Sequence, residues 1–229
     1  GPPRAEGGGV GETSPNRRLH AVDGAFGRYK AEEMAARLRA AAPGARIDAV
    51  PLHYSAETAA ELVPPGVSFV LDAMDTVVAK LHVIVRCLEH RIPVVTSMGA
   101  ARRLDPTAVQ VTDLAESHTD QLAKDVRKYL RRRHGVRASE PTGVLAVWSV
   151  EAPRAGWAMP GDEHGIPGAR RREAGERRRE PKAFGSAAFV TGVFGLAAAA
   201  AGGQRPTGQS PAPPRPGPEV GQRRGGKGP

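Results

Sequence analysis

The sequence of 229 residues contains one cysteine, Cys87, and no long apolar run. A single cysteine excludes an intrachain disulfide framework and a CxxC zinc site. The longest apolar stretch, residues 187–201, is shorter than the roughly 18–20 residues that a membrane-spanning helix needs. We therefore predict no membrane span. We expect a cytoplasmic protein, with a mitochondrial or plastid location as the alternative if a transit peptide precedes residue 1.

Aromatic side chains are also scarce, at 4% of the residues, whereas the chain has 28 glycines and 21 prolines. Such a composition supports a modest core and leaves much of the chain unstructured. Acidic residues are few relative to basic ones: 24 aspartates and glutamates stand against 33 lysines and arginines, which gives a formal charge of +9. This excess favours a polyanionic partner such as nucleic acid. An arginine-rich coding bias would produce the same excess without any binding role.

The composition divides the chain into one domain and two tails. Residues 1–15 and 202–229 are rich in Gly, Pro and polar residues and are predicted to be disordered. The domain extends over residues 16–201, interrupted by a predicted disordered insertion at 154–183. Apolar residues at helical spacing predict helices over four ranges, 28–42, 77–89, 120–133 and 184–201.

Short apolar runs between these helices predict strands. The predicted strands cover residues 45–53, 67–71, 92–96, 108–112 and 143–150. A strand–helix–strand unit over 67–96 requires a right-handed crossover and a parallel sheet. The sequence therefore predicts an α/β fold with a doubly wound, mainly parallel sheet.

Two acids follow the strand at 67–71, and their surroundings suggest different roles. Asp75 lies where a ligand-facing loop precedes a helix, a position at which carboxylates hold Mg²⁺ against phosphates. Its alternative role is a helix N-cap. Asp72 is closer to the strand, and we expect it to be structural.

Basic residues form two further candidate sites. Arg17 and Lys30 flank a predicted helix start, where cations and backbone amides bind phosphate; a solvated basic turn is the alternative. The helix at 120–133 carries six cations, of which Lys124, Arg127, Lys128 and Arg131 are the predicted RNA-backbone contacts. The alternative is a solvated helical face. Cys87 lies among apolar helical residues, and we expect a buried thiol rather than a nucleophile.

Seven segments in order resemble one family, the tRNA threonylcarbamoyladenosine dehydratases. That family is a branch of the ThiF/MoeB/HesA-type, ubiquitin-activating-enzyme-like adenylating superfamily. The similarity covers residues 16–150 and resumes at 185–196. The segments are NRRLHA, GRYKAEEMAARL, VLDAMDTVVAK, IPVVTSMGAARRLDPT, VTDLAESHTDQLAKDVRKYLRR, a strand ending in SVEAP, and GSAAFVTGVFGL. The pattern SMGA..LDPT is the most specific of them.

The resemblance implies a Rossmann-like fold and an ATP-dependent reaction. In it, the threonyl carboxylate of a modified tRNA adenosine is adenylated, and carbamoyl attack then closes a ring with net loss of water. By motif position, Arg17 and Lys30 would bind ATP phosphates and Asp75 would hold Mg²⁺. The implied partners are tRNA and a second copy of the chain in a homodimer.

The front of the chain departs from the family pattern. The family has a strand, a glycine loop, a helix and a second strand before the segment that corresponds to NRRLHA. Here Asn16 follows closely on the glycine-rich residues 7–11, and Ser14 and Arg18 replace the family's Asn and Gln. We therefore expect a sheet truncated at its first βαβ unit, with an unpaired edge and weakened ATP binding. Two alternatives stay open, a non-catalytic tRNA-binding remnant and an activating enzyme for a ubiquitin-like carrier protein.

Overall fold

A computed structural model describes residues 27–136, 140–154 and 185–204. Five α-helices and four β-strands lie within these ranges. In chain order they are α1 (Lys30–Ala41), α2 (Ala59–Leu62), β1 (Val70–Asp72), α3 (Val77–Glu89), β2 (Val94–Ser97), β3 (Val109–Asp113), α4 (Gln121–His134), β4 (Leu145–Ser149) and α5 (Ala188–Gln204). No helix in the described ranges has the length and apolar character needed to cross a membrane.

The strands form one sheet in the order β1-β2-β4-β3. β1, β2 and β4 are parallel, and β3 is antiparallel to β4. Val70 lies opposite Val94, and Val95 lies opposite Leu145, so apolar residues fill the centre of the sheet. The mainly parallel α/β fold predicted from the sequence is confirmed.

Helices cover both faces of the sheet, which makes it doubly wound. α3 and α4 pack on one face, where Ile84, Val126 and Leu130 are buried with Trp148. α5 packs on the other face, where Val190, Phe194 and Ala198 meet Val95 and Val147. Each fully buried aliphatic side chain of this kind contributes about 1.5–3 kcal/mol to folding. Two apolar layers therefore hold the strand ends in place.

The ends of α4 follow from local chemistry. Asp120 is the N-cap, and its side chain accepts a hydrogen bond from the amide of Ala123 at 2.7 Å. Gly135 ends the helix at a φ of +65°, a left-handed conformation that glycine adopts without strain.

One predicted strand is absent. Residues 45–53 contain no strand, because their backbone has no neighbouring strand to pair with among the described residues. Ile47 and Ala49 are still half-buried and alternate with exposed neighbours, which is the pattern that suggested a strand. The guanidinium of Arg39 donates two hydrogen bonds to the carbonyl of Ile47, which occupies an acceptor that a strand partner would use.

The domain limits can be compared with the structure only in part. α5 continues to Gln204, so residues 202–204 are helical rather than part of a disordered tail. The predicted disordered segments at 1–15, at most of 154–183 and at 205–229 lie outside the described residues. The truncation of the sheet expected from the sequence is not tested, because residues 1–26 are also outside the described ranges. Among the described residues, β1 pairs with β2 alone.

Candidate functional site

The three parallel strands end at the same edge of the sheet, at Asp72, Ser97 and Ser149. The loop after β2 is tied through backbone hydrogen bonds to the loop after β4 and to the segment before α5. The amide of Arg102 donates to the carbonyl of Gly185 at 2.9 Å, and the amide of Arg154 donates to the carbonyl of Arg102 at 3.0 Å. In open α/β sheets this carboxyl edge is where ligands bind.

A buried lysine links the ends of β1 and β2. Lys80 of α3 is completely buried, and its ammonium donates to Asp72 Oδ2 at 2.6 Å, Thr96 Oγ1 at 3.1 Å and the carbonyl of Ser97 at 2.9 Å. Thr96 Oγ1 donates to the same Asp72 oxygen at 2.6 Å. Burial lowers the pKa of Lys80, and the carboxylate of Asp72 opposes that shift. Asp72 is therefore structural, as expected from the sequence.

A second buried ion pair fixes the glycine of the SMGA segment. Asp120 Oδ2 accepts hydrogen bonds from the amide of Gly99 and from Arg103 Nη2, both at 3.0 Å. Arg103 is 2% exposed and also donates to the carbonyls of Gly99 and Glu151. Since Asp120 also caps α4, one carboxylate fastens the start of that helix to the loop after β2.

Glu151 holds the next turn of the same loop. Its Oε2 accepts hydrogen bonds from the amides of Leu104 and Asp105, at 2.9 and 2.8 Å. Burial raises the pKa of the Glu151 carboxyl, but these two amides and Arg154 together lower it by more, so the net pKa lies below its usual value. The SMGA..LDPT segment is thus held by acids from two other loops.

The residues predicted to bind nucleotide have different positions. Asp75 is exposed in the loop between β1 and α3, at the carboxyl edge. It is not the N-cap of α3, since that position is Thr76. Lys30 is half-buried in the first turn of α1. Arg17 lies outside the described residues, so the structure places only Asp75 and Lys30 of the three.

The cations of α4 separate into two groups. Lys124, Lys128, Arg131 and Arg132 line one cleft of about 430 Å³. Arg127 instead donates from Nη1 to Ser117 Oγ and is half-buried. Burial lowers the pKa of Arg127, and the neighbouring charge of Arg131 lowers it further. Arg132 was not among the predicted contacts, although its spacing of four residues from Lys128, itself four from Lys124, is the signal for a shared helical face.

Three further residues of the edge were not predicted: Lys80, Arg103 and Glu151. Lys80 does have a sequence signal, because it lies three residues after Val77 and four before Ile84, within the apolar stripe of α3. A charge at such a position must find a buried partner. Arg103 and Glu151 carry no comparable local signal.

Cys87 is fully buried in α3, as predicted. Burial raises the pKa of its thiol to about 11, so the thiolate is scarce at neutral pH. A transfer nucleophile needs an exposed thiol of low pKa, and this sequence has no other cysteine.

Comparisons with known proteins identify the family. Residues 8–204 match the ThiF family. The tRNA threonylcarbamoyladenosine dehydratase of Escherichia coli is 35% identical over 189 residues, which cover 81% of this chain and 69% of that protein. The enzyme of the same name from Bacillus subtilis is 38% identical over 141 residues, which cover 62% of this chain and 54% of that protein. This chain thus spans about half the length of one relative and two thirds of the other.

The fold agrees with the same relatives. The crystal structure of the E. coli dehydratase TcdA in complex with ATP superposes with a TM-score of 0.71 at 33% identity. The match covers 87% of this chain and 72% of that one. The complex of TcdA with AMP gives a TM-score of 0.72. The chain therefore belongs to the ThiF family, with a Rossmann-like fold similar to that of the tRNA threonylcarbamoyladenosine dehydratases.

Proposed function

We propose that this chain is an ATP-dependent tRNA threonylcarbamoyladenosine dehydratase. The observation that carries the proposal is the match of its fold to the ATP complex of the E. coli enzyme over 87% of the chain. The carboxyl edge supports it, because the loops that would face a nucleotide are held there by buried ion pairs rather than left free. Preorganised loops reduce the cost of binding a ligand.

The proposed reaction has two steps. An oxygen of the threonyl carboxylate attacks the α-phosphorus of ATP, and pyrophosphate leaves. The carbamoyl group of the same nucleoside then attacks the acyl carbon, losing a proton, and AMP leaves with the former carboxylate oxygen. The nucleoside has lost one water, and ATP has become AMP and pyrophosphate.

Asp75 fits the role of a magnesium ligand. Its carboxylate is exposed at the carboxyl edge and accepts no hydrogen bond from the described residues. No group of three or more metal-ligating side chains occurs in the described ranges. A single carboxylate is still enough for a Mg²⁺ site, because Mg²⁺ is commonly held by one or two carboxylates together with substrate phosphates and water. When bound, Mg²⁺ offsets the negative charge of the phosphates.

Cations complete the proposed phosphate site. Lys30 lies in the first turn of α1, where the backbone amides of a helix start favour anions. We propose that Lys30 and Arg17 bind the ATP phosphates. A homodimer and a cytoplasmic location are part of the same proposal, with a mitochondrion or plastid as the alternative compartment.

The test is release of AMP and pyrophosphate that depends on tRNA bearing threonylcarbamoyladenosine. We expect turnover by the unaltered chain and loss of its Mg²⁺-dependent turnover in Asp75→Asn. Asp48→Asn is the matched control, because Asp48 is an exposed acid in another part of the chain. Equal turnover by Asp75→Asn and Asp48→Asn would show that Asp75 does not hold Mg²⁺ in the reaction.

A non-catalytic tRNA-binding protein is the second candidate, and the basic cleft on α4 favours it. It predicts salt-sensitive binding of tRNA with no AMP release. The alternative of an activating enzyme for a ubiquitin-like carrier protein is disfavoured in the form that uses a transfer cysteine, since Cys87 is buried.

A further inference from the structure

The cleft on α4 is lined by four cations, Lys124, Lys128, Arg131 and Arg132. Lys124, Arg131 and Arg132 are exposed, and Lys128 is half-buried with its ammonium 5.8 Å from the ring centre of Tyr129. None of the four forms an ion pair with a carboxylate in the described part of the chain. The cleft therefore has a positive charge, with no acid among the described side chains that line it.

Like charges at this spacing repel each other. Lys124, Lys128 and Arg132 are separated by four residues each, and cations three or four residues apart on a helix are destabilising. The repulsion is relieved when a chain of negative charges lies along the helix. From Lys124 to Arg132 the helix rises by about 12 Å, long enough to follow a polyanion rather than a single phosphate.

Arg127 is not among the described residues that line this cleft. Its guanidinium donates to Ser117 Oγ, and Ser117 Oγ donates to the carbonyl of Leu114 at 2.7 Å. Ser117 is buried, so this contact braces the short turn before α4. Arg127 therefore makes a structural contact, and it was also among the RNA contacts predicted from the sequence.

The orientation of α4 links the cleft to the carboxyl edge. Asp120 caps the helix and also accepts a hydrogen bond from the amide of Gly99, so the start of α4 is fixed to the loop after β2. Lys124 lies one turn from that cap, and Arg132 lies two turns further along. A backbone bound along the cleft runs toward the proposed nucleotide site.

We propose that Lys124, Lys128, Arg131 and Arg132 bind the sugar–phosphate backbone of the tRNA substrate along α4, and that Arg127 does not. This inference rests on the proposed function for the identity of the RNA. The site itself is a binding surface whose chemistry is independent of ATP turnover.

The experiment measures the dissociation constant of a tRNA transcript between 50 and 200 mM salt. The slope of log binding constant against log salt concentration changes by about 0.7 per phosphate contact to single-stranded nucleic acid and by about 0.9 per contact to a duplex. The variants are Arg131→Gln/Arg132→Gln, Arg127→Gln and Arg46→Gln. Arg46 is the matched control, because its side chain is 89% exposed and lies outside α4. Thermal unfolding of each variant shows whether it is folded.

We expect the magnitude of the slope to fall by about 1.4–1.8 in the double variant, which loses two phosphate contacts, with an unchanged melting temperature. Arg46→Gln should keep the slope, and Arg127→Gln should keep the slope while melting at a lower temperature. A double variant with an unchanged slope would overturn the proposal. Competition by polyglutamate as effective as that by RNA would also overturn it, because the cleft would then bind any polyanion, including an acidic protein.

Turnover separates this proposal from the proposed function. At saturating modified tRNA, the double variant should keep its kcat for AMP release and show a raised KM for tRNA. If the unaltered chain releases no AMP but the slopes change as expected, the binding site stands and the proposed function fails. If AMP is released and the salt dependence of tRNA binding is the same for the double variant and the unaltered chain, the proposed binding site is wrong and the proposed function stands.

Discussion

Lys80→Met tests the buried ion pair that joins β1 to β2. Methionine keeps the length of the side chain and removes the ammonium, which leaves the Asp72 carboxylate 3% exposed without its cation. The carbonyl of Ser97 also loses its donor from Lys80. Removing one partner of a buried ion pair costs about 3–5 kcal/mol, and a domain of this size loses about 2–4 °C in melting temperature per kcal/mol. We expect a loss of roughly 10 °C, with the free energy of unfolding measured by urea titration and circular dichroism.

Two controls isolate the charge. Asp72→Asn/Lys80→Met removes the unpaired carboxylate, so it should be more stable than Lys80→Met alone. Lys124→Met makes the same substitution at an exposed position of α4 and should change stability by less than about 0.5 kcal/mol. A cost of less than about 1 kcal/mol for Lys80→Met, or a double variant no more stable than the single one, would show that the pair of Lys80 and Asp72 does not stabilise the fold.

Two further predictions concern the loop after β2. A Cβ on Gly99 would lie 2.9 Å from Asp120 Oδ2, and Arg103 holds that oxygen in place. Gly99→Ala should therefore lower the free energy of unfolding, measured by urea titration, by about 1–3 kcal/mol. Gly195→Ala is the control, because a Cβ on Gly195 of α5 meets no other atom within 4 Å and should be neutral or stabilising. Glu151 has a lowered pKa in the fold, so the stability it contributes is present above its ordinary value of 4.5 and is lost as pH falls through the lower folded value. Hydrogen exchange should therefore show the amides of Leu104 and Asp105 losing protection in acid, and Glu151→Gln should remove this pH dependence; equal acid sensitivity in both proteins would contradict it.

Local periodicity was enough to predict the four longer helices, whereas the single turn of α2 is too short to show a periodic pattern and was not predicted. Val77, Leu81, Ile84 and Leu88 give the predicted range 77–89, which is the observed extent of α3. α4 differs from its predicted range by one residue at each end, because Asp120 is its cap rather than its first residue. Strands were placed within about three residues at each end, except the one at 45–53. A strand depends on a partner elsewhere in the chain, and alternation alone does not supply one.

The candidate site was less predictable, because its contacts are long-range. Lys80 and Ser97 are 17 residues apart, and Arg103 and Glu151 are 48 apart. Asp72 was predicted correctly as structural, since a carboxylate at the end of a buried strand must find a donor. The structure also separates Arg127 from the other cations of α4, a distinction that depends on its contact with Ser117.

We propose that this chain dehydrates threonylcarbamoyladenosine in tRNA at the expense of ATP. The most direct measurement is mass spectrometry of the nucleoside after incubation with ATP and Mg²⁺, together with the amount of AMP released. We expect loss of one water from each modified nucleoside and formation of one AMP for each. An unchanged nucleoside mass with no AMP, while the same preparation binds tRNA, would contradict it and identify the chain as a tRNA-binding protein without this activity.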